Sequence, residues 1–254
     1  KHMLSTGGGW RRTQPRGNRQ WVFFGGGTNL HMTFDGVPTA VEVGASYETQ
    51  FTSFWSCGVN GGFGGRMLEN VIRCGGVPVV VEDTWGAPVD PQKLADALKK
   101  NKDTKIVAFV HAETSTGCQS DAKLLTQIAH QHGALVIVDA VTSLGGTPVK
   151  VDEWEIDAIY SASQKCLSCT PGLSPVSFSE QVVERVKKRK DKIHSWFMDM
   201  NLLLGYWGAT TRTYHHTAPT NSLFALHEAL LLIREEGLEN SWARHQRHHV
   251  ALKA

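Results

Sequence analysis

The sequence predicts an α/β fold, a mostly parallel sheet sandwiched by helices. Two observations carry this. From Gly58 onward, short apolar runs of strand length alternate with longer segments of helical period, so strand follows helix in a regular rhythm. Several of the short runs, such as Ala134–Val138, are continuously apolar, as in strands buried on both faces. The chain has 254 residues, 41% hydrophobic and 20% charged, enough to build a substantial core.

Residues 1–57 stand apart as a divergent N-terminal segment. Gly7-Gly8-Gly9-Trp10-Arg11-Arg12 and Pro15-Arg16-Gly17 are basic and irregular, Gly25-Gly26-Gly27 follows, and no helical or strand period is evident. Order begins after them. Arg66 to Arg73 reads as a helix with Met67, Leu68, Val71 and Ile72 on one face and Gly75 as its stop. Val77 to Val81 is a strand. Pro91 to Lys100 is a helix with proline in its first turn, and Ile106 to Val110 is a strand. Asp121 to His132 is a helix with Leu124, Leu125 and Ile128 inward and Gly133 as the stop. Ala134 to Val138 and the run from Ile156 are buried strands, and Pro175 to Phe178 is another. Glu180 to Lys190 is a helix whose basic end suits a helix C-terminus. Thr220 to Glu236 is a long apolar helix carrying Leu223, Leu226, Ala229, Leu230 and Ile233, stopped by Gly237. A last helix starts at Leu238. The main domain therefore spans 58–237, and 238–254 begins a further element.

Composition narrows the function. A net charge of +2 is too small to imply nucleic acid or a membrane surface as partner. No apolar run is long enough to span a bilayer, and no apolar core follows Lys1-His2-Met3-Leu4 as in a secretory signal. Five cysteines without a regular pattern suit a reducing compartment, so a cytoplasmic location is expected, with peroxisome and mitochondrion left open. No metal is expected. Cys166-Leu167-Ser168-Cys169 has CxxC spacing but no second ligand pair, and His245, His248 and His249 lack a glutamate between an i, i+4 pair.

Two strand ends carry chemistry. The run Ile156–Tyr160 turns small and polar and delivers Lys165, whose charge would be costly to desolvate behind a buried strand. A Schiff base with a carbonyl cofactor removes that cost. Asp139 is the first charge after another continuous apolar run. A carboxylate there can hold a protonated pyridine nitrogen, the partner that pyridoxal 5'-phosphate needs as an electron sink. The plainer reading of Asp139 is a helix N-cap after a strand.

Five motifs, in order, give these residues a context. They are Asn60-Gly61-Gly62-Phe63-Gly64-Gly65-Arg66, His111-Ala112-Glu113-Thr114-Ser115-Thr116-Gly117, Val138-Asp139-Ala140-Val141-Thr142-Ser143-Leu144-Gly145-Gly146, Tyr160-Ser161-Ala162-Ser163-Gln164-Lys165 and Tyr214-His215-His216-Thr217. With them the chain from Gly58 to Leu252 resembles the fold-type I, class V aminotransferases, within them the alanine–glyoxylate and serine–pyruvate group. The resemblance implies that 58–237 is the cofactor-binding large domain and that 238–254 starts a linker helix to a small C-terminal domain that is largely absent. It implies Lys165 as the Schiff-base lysine, Asp139 on the pyridine nitrogen, Phe63 stacked on the ring and Val141 beneath it. Thr114 donates to the ring oxygen and Gln164 to the phosphate. Tyr214 and Thr217 reach the phosphate of a neighbouring subunit, so a homodimer with shared active sites is implied. The plainer readings are core packing for Phe63 and Val141, a capping turn for Thr114, a polar loop residue for Gln164 and a buried phenol for Tyr214; His215 and His216 read as structural. The family's phosphate loop is not found before Asn60, where only Gly25-Gly26-Gly27-Thr28 loosely resembles it. The implied reaction moves an amino group from alanine or serine to glyoxylate or pyruvate. The alternatives are an inactive remnant or cofactor-binding scaffold, a kynurenine-pathway transaminase, and a cysteine-desulfurase-like enzyme, although Gln164 stands where desulfurases usually carry histidine.

Overall fold

The computed structural model describes residues 61–193, 195–208 and 213–253 and, as strands, 2–6, 9–13, 20–24, 30–34, 37–38 and 54–59. Asn60 and Gly25–Thr28 lie outside the described residues. The chain divides into two compact units, one of Lys1–Gln50 and Arg185–Pro219, the other of Phe51–Glu184 and Thr220–Ala254.

In the first unit, β1 (His2–Thr6), β2 (Gly9–Thr13), β3 (Gln20–Phe24), β4 (Leu30–Phe34) and β5 (Val37–Pro38) form an antiparallel sheet in chain order. This corrects the expectation of no strand period in 1–57. The runs Gln20–Phe24 and Leu30–Phe34 are rich in aromatic and other strand-favouring residues, but at five residues each they are too short for a period to stand out.

The second unit holds a six-stranded sheet. Its strands are β6 (Phe54–Val59), β7 (Val77–Glu82), β8 (Thr104–Val110), β11 (Leu135–Asp139), β12 (Ala158–Tyr160) and β13 (Val176–Phe178). Their order is β13-β12-β11-β8-β6-β7, and every pair is parallel except β12 with β13. Two short strands, β9 (Ala112–Glu113) and β10 (Cys118–Gln119), form a separate ribbon after β8. The connections from β6 to β7, from β7 to β8 and from β8 to β11 run through α1 (Gly62–Arg73), α2 (Pro91–Lys100) and α3 (Ala122–Gln131) in turn.

Alternation along β8 sets the two faces. Val107 and Phe109 join Leu94 and Leu98 of α2, Leu125 and Ala129 of α3, and Val136 and Val138 of β11 in the main core. Ala108 and Val110 face the other way, onto Met67 of α1, with Phe63, Leu68, Ile137 and Tyr160 packed around them. The sheet is thus covered by helices on both sides, as the sequence predicts. Leu124 is a correction to the expected inward face of α3: it is 39% exposed, while Leu125 is fully buried. Asp90 and Asp121 cap α2 and α3 by accepting from the N–H groups of Gln92 and Leu124.

Asp157, just before β12, ties the amino end of β11 to the carboxyl end of the antiparallel β13. Its buried carboxylate accepts from the Val136 N–H (2.9 Å) and the Ser179 hydroxyl (3.2 Å) and meets His130 Nε2 at 2.8 Å. Four helices complete the described chain: α4 (Glu180–Lys188), α5 (Met200–Gly208), α6 (Thr220–Glu236) and α7 (Leu238–Lys253). On α6 only Ala229 is buried, and Leu223, Phe224, Leu230 and Leu232 are exposed. Among the described residues no helix is long and apolar enough to cross a membrane.

Candidate active site

The strand order reverses between β6 and β8, since the chain passes from β6 to one side of the sheet and then to the other. Ligands of open α/β sheets bind outside the carboxyl ends of the strands at such a reversal. Phe63 opens α1 just after β6, Glu113 and Thr114 follow β8, and the neighbouring β11 ends on Asp139. Phe63, Thr114 and Asp139, three of the residues singled out in the sequence, therefore lie at the strand ends where the topology puts a binding crevice.

Asp139 is 5% exposed. Its Oδ1 accepts from the Val141 N–H at 2.8 Å, and its Oδ2 accepts from the Tyr160 hydroxyl at 2.8 Å. The parallel register sets Tyr160 beside Asp139 on the adjacent strand. Burial pushes the Asp139 carboxyl above the ordinary range; the bonds from Val141 and Tyr160 pull it down, and the charge of Glu113 adds a push upward. A carboxylate offers about four lone-pair sites. Two are taken among the described residues, which leaves room for a further donor.

Val141 is half-buried, and its main chain serves Asp139. The Thr114 hydroxyl shares a short hydrogen bond with the Thr142 hydroxyl, so the turn after β8 meets the loop after β11. The Thr142 carbonyl accepts from the Cys166 thiol at 3.1 Å, which brings in the turn that carries Lys165. That turn is well fixed. Ser163 is fully buried, its hydroxyl donates to the Thr170 carbonyl (2.6 Å), and its own carbonyl accepts from the Cys169 N–H (3.0 Å). Lys165 is half-buried and its carbonyl accepts from the Ser168 N–H at 2.9 Å, while Gln164 is exposed. Gly146 lies directly against this turn: a Cβ there would stand 2.5 Å from the Cys166 sulfur.

Phe63 is half-buried, and the Arg66 guanidinium lies over its ring at 4.7 Å. The helix that carries it starts at Gly62, four residues before the expected Arg66. No side chain at Gly61 caps it. Glu113 does so from across the crevice, accepting from the N–H groups of Phe63 and Gly64.

Tyr214 and Thr217 belong to the other unit. Their hydroxyls are hydrogen-bonded at 2.6 Å and both side chains are exposed, Tyr214 to 74%, so Tyr214 is not a buried phenol. Between them His215 is buried and stacked on Trp196, with ring centroids 4.1 Å apart. His215 Nδ1 lies 2.8 Å from His216 Nδ1, so one of the two rings donates to the other.

The sequence motifs contain Glu113, Thr142 and Tyr160 but assigned them no role. Their roles depend on strand register and on cross-crevice contacts, which spacing along the chain does not encode.

The profile of the aminotransferase class-V family matches residues 70–254. The chain is 38% identical over 214 residues to (S)-ureidoglycine–glyoxylate transaminase of Bacillus subtilis (strain 168), covering 77% of this chain and 51% of that protein. It is 38% identical over 192 residues to alanine–glyoxylate aminotransferase of Oryctolagus cuniculus, covering 74% and 48%. The crystal structure of an alanine–glyoxylate aminotransferase from Nostoc sp. superposes with a TM-score of 0.75 at 42% identity, over 79% of this chain and 52% of that one. The chain thus spans about half the length of the relatives it matches.

Proposed function

The chain belongs to the class-V aminotransferases, and from that premise we propose that it is the cofactor-binding part of a pyridoxal-phosphate-dependent transaminase that moves an amino group from alanine or serine to glyoxylate or pyruvate. Glyoxylate is the substrate common to the names of the relatives described above. In this reading 58–237 is the large domain and 238–254 leads toward a small one.

The observation that carries the reading is Asp139: a buried carboxylate at a strand end, with two donors in place and lone pairs to spare. The donor set around it fits pyridoxal phosphate. When bound, that group supplies an electron-poor ring that accepts the electrons left when the α-proton of an amino acid is removed. Asp139 would hold the proton on the ring nitrogen. Phe63 and Val141 would hold the ring by its faces, and the Thr114 hydroxyl would donate to the ring oxygen. Lys165 would anchor the cofactor through Nζ and then, once freed, carry the α-proton on the same atom. Gln164 would donate to the phosphate. Tyr214 and Thr217 would do so for the neighbouring subunit of a homodimer, and the exposure of this hydroxyl pair supports that role.

The test is borohydride reduction of the chain with added pyridoxal phosphate, followed by peptide mapping. A pyridoxyl label on Lys165, and none after Lys165→Ala, is expected. A label on another lysine, or none in folded protein, refutes the assignment. A labelled Lys165 without turnover of alanine and glyoxylate would turn the reading to a cofactor-binding scaffold.

A further inference from the structure

Glu113 has a role that the reaction above does not use. It is 1% exposed, and four donors meet its carboxylate. The backbone N–H groups of Phe63 (3.1 Å) and Gly64 (3.2 Å) reach Oε2, and the backbone N–H (3.0 Å) and hydroxyl (2.7 Å) of Ser115 reach Oε1. The first two donors are orphan groups of the first turn of α1, where the positive end of the helix favours an anion. The other two belong to the residue that follows Thr114. The Ser115 hydroxyl also accepts from the Gly62 N–H at 2.9 Å, closing the cluster. Gly61 makes room for it, because a Cβ there would stand 2.3 Å from Glu113 Cγ. A single carboxylate thus fastens both walls of the crevice, the aromatic ring on one side and the hydroxyl on the other.

We propose that Glu113 is a positioning residue: it holds the Phe63 ring and the Thr114 hydroxyl in one register and so fixes the orientation of the planar cofactor that binds against them. The inference rests on the pyridoxal phosphate reading above. A role confined to capping α1 would affect stability alone. A positioning role also moves the affinity for the cofactor and the ellipticity of its visible absorption band, measured per bound cofactor.

The experiment compares the unaltered chain, Glu113→Gln and Ser115→Ala, each titrated with pyridoxal phosphate and followed by absorbance and visible circular dichroism. A glutamine keeps one acceptor oxygen. Turned toward Phe63 and Gly64, it preserves the helix cap and leaves the Ser115 N–H without its acceptor; turned the other way, it orphans two N–H groups. With the two walls no longer held in one register, the coupling lost between them lowers affinity by about tenfold, and the ellipticity per bound cofactor falls with it. Ser115→Ala, at an exposed residue, removes one of the four donors and shifts both readouts the same way by less. If Glu113→Gln lowers the melting temperature but leaves affinity and ellipticity unchanged, the positioning role is overturned while the cofactor reading stands. If Glu113→Gln does not fold, Ser115→Ala decides, and unchanged readouts overturn the proposal. If the unaltered chain takes no label at Lys165, the cofactor reading fails and this inference falls with it.

Discussion

Tyr160→Phe separates the charge state of Asp139 from everything else at the site. The substitution removes one oxygen and leaves the ring packed against the cluster of Met67, Ala108 and Val110. The loss includes a 2.8 Å hydrogen bond to a carboxylate that is 5% exposed. A hydrogen bond to a charged group contributes about 1.5–3 kcal/mol, a neutral one about 0.5–1.5 kcal/mol. Burial holds the Asp139 carboxyl above its unfolded value, so the folded state keeps this proton as pH rises past the point where the unfolded chain loses it. Its ionisation therefore erodes stability as pH climbs through the raised folded value. The Tyr160 hydroxyl opposes that erosion by stabilising the charged form. In urea denaturation of the cofactor-free chain, Tyr160→Phe should then cost more at alkaline than at acidic pH, about 1.5–3 kcal/mol with the carboxyl charged against about 0.5–1.5 kcal/mol with it protonated. An equal cost at both pH values would refute the claim that Tyr160 donates to an ionised Asp139.

Further outcomes follow from other buried groups. His111 is 1% exposed, and burial pushes its imidazole down to about 4, against an ordinary 6.5. The unfolded chain therefore binds this proton first, and the contribution of His111 to stability is present above pH 6.5 and lost as pH falls toward 4, by about 3 kcal/mol. Chemical denaturation of His111→Gln across this window should show a flatter pH dependence than the unaltered chain. Asp157→Ala removes the acceptor of the fully buried Val136 N–H and the partner of His130, and it should cost about 1–3 kcal/mol in the same assay. A loss below about 1 kcal/mol would mean that water takes over these bonds.

The parts of the fold that were legible in the sequence are those fixed by local period. The continuous run at Leu135–Asp139 and the capped helices at Pro91–Lys100 and Ala122–Gln131 form where period, caps and stops place them. Sequence reading was less successful where the determining partner is distant. The helix reads as starting at Arg66, yet α1 starts at Gly62, where Glu113 supplies its cap. Leu124 carries an inward-looking period but lies at the edge of the face that α3 buries. At the candidate site, Lys165 and Asp139 could be singled out because charges directly behind buried strands are costly enough to need a reason. Tyr160 could not, because its link to Asp139 depends on strand register.

The two buried carboxylates at the carboxyl ends of the strands differ in a way that bears on which of them meets a ligand. Both lie 5% exposed or less, and they are close enough for the charge of Glu113 to push the Asp139 carboxyl upward. Glu113 receives four donors from the protein, all that its oxygens readily accept, and so has no capacity to recognise anything else. Asp139 receives two, both at 2.8 Å, and remains electrostatically unsatisfied. A cationic N–H donor brought to Asp139 would relieve the strain that burial and Glu113 impose, whereas none is needed at Glu113. In the proposed reading, the saturated carboxylate builds the crevice, and the unsaturated one is left to act within it. On that same reading, four donors on Asp139 and two on Glu113 would leave the same sequence motifs with no partner for a protonated ring nitrogen.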